Sequence, residues 1–79
     1  MIIRLVAYGI ARELIGARES SFEFEGSSIA QLKAALTSRY PAFASLRSLS
    51  FAIGEDYRSD DHLLHDQDEV VIIPPVSGG

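Results

Sequence analysis

Glu69-Val70-Val71-Ile72-Ile73-Pro74-Pro75-Val76-Ser77-Gly78-Gly79 closes the sequence, and its two halves ask for different structures. From Val70 to Ile73 every residue is apolar, the signature of a strand covered on both faces in the middle of a sheet. Pro74 and Pro75 then fix φ and favour an extended, polyproline-like path, while Gly78 and Gly79 leave the last backbone without side chains. A tail of this kind leaves a packed strand as a slender rod of roughly 20 Å at full extension, long enough to enter another protein. A glycine carboxylate at its tip is the least hindered acyl group a chain offers. It suits adenylation by a partner using ATP, followed by displacement by sulfur or an amine. The plainer reading is a frayed terminus.

The rest of the chain supplies the sheet that such a strand needs. Ile2 to Tyr8 reads as a first strand, with Ile3, Leu5 and Ala7 on one side and Ile2, Arg4, Val6 and Tyr8 on the other. It too is apolar on both faces, so one face is expected under a helix and the other partly covered or used for contacts. Ile10 to Ile15 predicts a short helical turn stopped by Gly16, with Ile10, Leu14 and Ile15 sharing a side. Glu19 to Glu25 alternates, Phe22 and Phe24 against Ser21, Glu23 and Glu25, as a half-buried second strand pairing antiparallel with the first.

Ser28 and Gln31 form a capping box, so the main helix is expected to start at Ser28 and stop by Pro41, with Ile29, Leu32, Ala35, Leu36 and Tyr40 on one stripe. Phe43 and Leu46 are expected to pack a loop on the core. Leu49 to Ile53 reads as a third strand, Tyr57-Arg58 as a short edge piece, and Leu63 and Leu64 as pins for an otherwise polar loop. Phe22, Phe24, Leu32, Leu36, Phe51, Val70 or Val71, and Ile72 or Ile73 are the expected core. The order ββαββ describes an α+β fold of the β-grasp, ubiquitin-like type: a mixed sheet with one main helix, first and last strands side by side and parallel. Residues 1–73 form the domain and 74–79 the tail.

Composition narrows the functional classes. A chain of 79 residues is one domain with a single small core. No apolar run approaches the roughly 20 residues of a membrane span, and Met1-Ile2-Ile3-Arg4 lacks the layout of a signal peptide, so a cytoplasmic protein without a membrane role is expected. The net charge of −4, with basic residues scattered singly, argues against nucleic acid and for a basic protein partner. With no cysteine, sulfur chemistry on a side chain is excluded, and any sulfur handled must sit on the backbone terminus. Lys33 is the only lysine, which leaves few amines for linking the chain to its own kind.

The string PPVSGG resembles the C-terminus of the molybdopterin synthase small-subunit family, ubiquitin-like sulfur carriers, and the likeness extends along the chain. Ala7-Tyr8, Arg12-Glu13 and Gly16 stand where the family shows paired aromatics, a spaced Arg-Glu and a Gly. Gln67-Asp68-Glu69-Val70 stands for Gly-Asp-Glu-Val, and Ala52-Ile53-Gly54 for Ala-Val-Asn. Gln67 therefore occupies a position where a positive φ would favour glycine, whereas Gly54 can adopt the left-handed geometry that Asn tolerates.

The resemblance implies that an E1-like enzyme adenylates Gly79 and a sulfur donor converts it to a thiocarboxylate. Pro74, Pro75, Val76, Ser77 and Gly78 would thread into the large synthase subunit, in a heterotetramer, and the sulfur would pass to a pyranopterin precursor of the molybdenum cofactor. The chain would then be a reagent carrier, not an enzyme by itself, with no bound cofactor beyond the glycyl adenylate and thiocarboxylate.

Other constellations carry less. Tyr8 and the outward residues of the first strand are a candidate partner patch, or core under a loop. Arg12-Glu13 reads as surface decoration. His62, His65 and the aspartates around them read as a solvated acidic turn, because their spacing matches no closed metal site. A carrier for thiamin or cysteine synthesis, a protein modifier joined to lysines, and an interaction module with an inert terminus are the alternatives.

Overall fold

A computed structural model describes residues 1–46 and 49–74. Its elements are β1 (Ile2–Ala7), α1 (Gly9–Ile15), β2 (Glu19–Glu23), α2 (Ile29–Arg39), a 3-10 turn (Pro41–Ser45), β3 (Ser50–Ile53), β4 (Asp56–Arg58) and β5 (Glu69–Ile73). The strands form one mixed sheet in the order β2-β1-β5-β3-β4. β1 and β5 lie parallel, with Leu5 opposite Val70 and Ala7 opposite Ile72, while β1–β2, β3–β5 and β3–β4 are antiparallel. This is the β-grasp arrangement, and the doubly apolar strands β1 and β5 occupy interior positions, as their composition requires.

One face of the sheet packs on α2. Ile3 and Leu5 of β1, Val70 and Ile72 of β5, and Phe51 of β3 are buried together with Ile29, Leu32 and Leu36 of the helix. Of the alternative core positions, Val70 and Ile72 are the buried members, and Val71 and Ile73 point to the other face. Phe24 is buried beside a partly covered Phe22, their rings stacked 6.1 Å apart.

α2 begins as its capping box demands. Ser28 Oγ accepts from the Gln31 N–H at 3.2 Å, and Gln31 Oε1 accepts from the Ser28 N–H at 3.1 Å. The polar loop before β5 completes the cap: the Ile29 and Ala30 N–H groups donate to the carbonyls of His62 and Asp60 at 3.0 and 2.9 Å. Donors that a helix start leaves unpaired are thus satisfied by a segment distant in sequence.

Three local expectations are corrected. In α1 the buried residue is Ala11, and Ile10 is exposed. The helix begins at Gly9, and that phase turns Ala11, Leu14 and Ile15 inward at helical spacing. Leu64 alone pins the polar loop, since Leu63, its neighbour in an extended segment, points away. β2 ends at Glu23, two residues early, although the Phe24 N–H still donates to the Met1 carbonyl at 3.1 Å. Gln67 does adopt a positive φ, 70°, in the turn where glycine was expected, and Gly54 sits at 67°.

Candidate functional site

The tail residues Pro75, Val76, Ser77, Gly78 and Gly79 lie outside the described residues; the root from which they leave is described. β5 is hydrogen-bonded on both sides, to β1 and to β3, up to the pairs Ala7–Ile72 and Ser50–Ile73. Pro74 follows at once and rests beside Gly9, the first residue of α1: a Cβ on Gly9 would stand 3.3 Å from Pro74 Cγ. The root is therefore held by two ladders and by the start of a helix.

Tyr8, between β1 and α1, borders this root. Its backbone is extended, at φ −127° and ψ 160°, and its side chain is 45% exposed with the Arg18 guanidinium 5.4 Å above the ring. Tyr8 is thus not covered core, whereas Val6, an outward residue of the same strand, is buried. Ala7, where an aromatic pair would begin, is buried against the core instead.

The sheet face opposite α2 holds a feature that strand patterns alone do not reveal. Register aligns Glu19, Val6, Val71, Ala52 and Tyr57 in one row across all five strands. The centre of the row is apolar, and Ile73 continues it along β5 toward Pro74. Arg4 lies on the same face, its guanidinium 3.1 Å from Glu19 and 3.8 Å from Glu69. These ion pairs are half exposed, so their contribution to stability is small; they set a charged border to an apolar strip.

The acidic loop's carboxylates are engaged structurally. Asp60 pairs with Lys33 at 3.1 Å, Asp61 accepts from the Ser59 hydroxyl, Asp66 accepts from the Ile2 N–H at 2.7 Å, and Asp68 accepts from the His65 N–H at 2.8 Å. The Ser59 hydroxyl holds the Asp61 carboxyl below the usual aspartate range, and the Ile2 N–H does the same for Asp66. No group of three metal-ligating side chains is gathered among the described residues, and no helix there is long and apolar enough to cross a membrane. Arg12 and Glu13 are both exposed.

This geometry, a β-grasp sheet whose interior last strand runs directly into a proline-rooted tail, can be set beside known proteins. The ThiS family matches residues 6–79. The chain belongs to that family. It is 36% identical over its full length to the whole of the molybdopterin synthase sulfur carrier subunit of Chlamydomonas reinhardtii. It is 32% identical to the protein of the same name from Arabidopsis thaliana, over 98% of this chain and 82% of that one. Among solved structures, the small archaeal modifier protein 1 of Methanosarcina acetivorans superposes with a TM-score of 0.77 at 25% identity, covering 99% of this chain and 96% of the other. In this ThiS-family chain, Gly9, Val71 and Ala52 are the residues of this region to which sequence reasoning assigned no part in a site. Apolar residues on both faces of β1 were a signal for the strip, but which residues align across it depends on register.

Proposed function

We propose that this chain is the sulfur carrier of a molybdopterin synthase. The observation that carries the proposal is the placement of Pro74 against Gly9 at the end of an interior strand, in a chain of the ThiS family ending PPVSGG. A tail rooted there starts from the part of the sheet with hydrogen bonds on both sides, so its tip is presented from a fixed origin.

An E1-like enzyme is the activating partner. A Gly79 carboxylate oxygen attacks the α-phosphate of ATP and pyrophosphate leaves; sulfide-level sulfur from a donor then attacks the acyl carbon, AMP leaves with the electron pair, and the thiocarboxylate remains. In the large subunit, the thiocarboxylate sulfur attacks a carbon of the pyranopterin precursor, the carbon–oxygen bond there breaks and the oxygen leaves with the electron pair; water then cleaves the acyl thioester, returning Gly79 to a carboxylate and leaving the sulfur on the precursor. Catalytic groups for the transfer belong to the large subunit; this chain supplies a nucleophile on a rod. Tyr8, exposed at the root, with the partly covered Val71 and Ile73 of β5, is the surface on which that subunit docks.

Mass spectrometry of the chain produced with its activating enzyme and sulfur donor tests the proposal. Replacement of oxygen by sulfur adds about 16 Da by atomic masses, on a fragment containing Gly79, and the loaded chain sulfurates the precursor with the large subunit. A terminus that stays a carboxylate under those conditions removes the proposal. The likeness to a small archaeal modifier supports a second reading, conjugation to lysines of other proteins, which the same experiment would reveal as adducts on those proteins.

A further inference from the structure

An acyl group activated for attack by sulfur is equally open to amines. Every copy of the carrier brings its own amines to the reaction, so self-conjugation competes with loading. The step is simple: a neutral lysine Nζ attacks the Gly79 carbonyl carbon, the C–N bond forms, the bond to the adenylate oxygen breaks, AMP leaves with the electron pair, and the nitrogen's proton passes to water.

The chain offers little to this reaction. Its seven basic residues are six arginines and Lys33. A guanidinium stays protonated in proteins and takes no acyl group under these conditions. Arg18 shows the consequence locally: its guanidinium lies over Tyr8, next to Gly9 at the root of the tail, where a lysine would place an amine.

Lys33, meanwhile, is held. Its Nζ lies 3.1 Å from Asp60 Oδ1 and 6.0 Å from the centre of the buried Phe51 ring, and its side chain is 38% exposed. The backbone of Asp60 is anchored to the start of α2, its carbonyl accepting from the Ala30 N–H at 2.9 Å. The Met1 amino nitrogen likewise donates to the Phe24 carbonyl at 2.9 Å.

We infer that this chain is built so that its activated terminus is not taken up by copies of itself, its one lysine being held by Asp60 and the rest of its basic surface being arginine. The inference rests on the activation of Gly79 proposed above. It adds the specificity of that activated end, which goes to sulfur or to a foreign amine and not to a second carrier.

The test uses the full chain prepared as a C-terminal thioester of a small thiol, which supplies the activated acyl group without any enzyme. Adenylation is read separately, as pyrophosphate released from ATP with the activating enzyme, so a failure there is distinct from a failure here. Intact mass and peptide mapping follow hydrolysis, capture by glycinamide at the same concentration as the protein, and covalent dimer. The wild type is expected to hydrolyse and to be captured, with dimer forming far more slowly than capture. Asp60→Asn should raise dimer linked through Lys33 by about two- to fivefold, the range that release of an exposed ion pair corresponds to. Arg18→Lys should add a new link at position 18. Wild-type dimer forming as fast as glycinamide capture, through any amine, overturns the inference, and so does a dimer rate unchanged by Asp60→Asn.

Discussion

Gly9 backs directly onto Pro74: with Gly9 at φ +56°, an added Cβ would lie 3.3 Å from Pro74 Cγ. An L-residue with a side chain pays about 1–2 kcal/mol in this region of backbone space, partly offset by its lower entropy when unfolded. Gly9→Ala should therefore lower stability by about 1 kcal/mol in urea denaturation. Adding Pro74→Ala, which removes the crowded Cγ, should restore part of the loss. Strictly additive effects in this double-mutant cycle would show that the two residues are not coupled.

Tyr8 tests the partner surface. An aromatic side chain that is nearly half exposed at the tail root contributes little to the core but suits an interface anchor. Tyr8→Ala should weaken binding to the synthase large subunit by about tenfold or more, seen by calorimetry, with little change in the melting midpoint. Unchanged affinity would move the interface away from the tail root.

Gln67 sits at φ 70° although it carries a full side chain, and its N–H donates to the Ile2 carbonyl at 2.7 Å. Glycine removes the strain and keeps the hydrogen bond, at a smaller entropic cost. Gln67→Gly should stabilise the domain by about 0.5–1 kcal/mol, measured as a shift in urea midpoint. A lower midpoint would mean that the Gln67 side chain contributes more than its backbone loses.

How much of this was legible beforehand follows from what each signal depends on. The β1–β5 neighbourhood was readable because doubly apolar strands have to be interior, and α2 because the Ser28–Gln31 pair marks its first turn within four residues. The inward turn of Ala11 and the outward turn of Ile10 were not, because helix phase depends on where the helix starts, and a one-residue change rotates every side chain by about 100°. The choice of Leu64 over Leu63 is the equivalent ambiguity in an extended segment. The row Glu19–Val6–Val71–Ala52–Tyr57 requires four inter-strand registers at once, none of which an alternating pattern specifies. The role proposed for Gly79 rests on the chemistry of a glycine carboxylate, and the residue lies outside the described residues.

Asp66 predicts a pH dependence. Its carboxylate accepts from the Ile2 N–H, which holds its folded-state pKa below the unfolded value. The stabilisation is therefore fully present above the ordinary aspartate pKa of about 4 and is lost as pH falls through the lower folded value. Asp66→Asn should make the acid limb of a stability–pH curve shallower below about pH 4. An acid limb identical to wild type would show that this bond does not persist in solution.

The parallel pairing of β1 with β5 ties the first strand to the last, across two helices, a 3-10 turn and three further strands. Until β5 is available, β1 and β3 each have an unpaired edge in the middle of the sheet, and the face that covers α2 is incomplete. Closure across such a separation is slow and comes late in folding. A nascent chain therefore cannot complete this domain before its final strand has left the ribosome, and a chain clipped upstream of Glu69 has no finished fold to display. Quality control of the fold thereby becomes quality control of the tail's anchor: any copy that folds holds the strand that runs into Pro74.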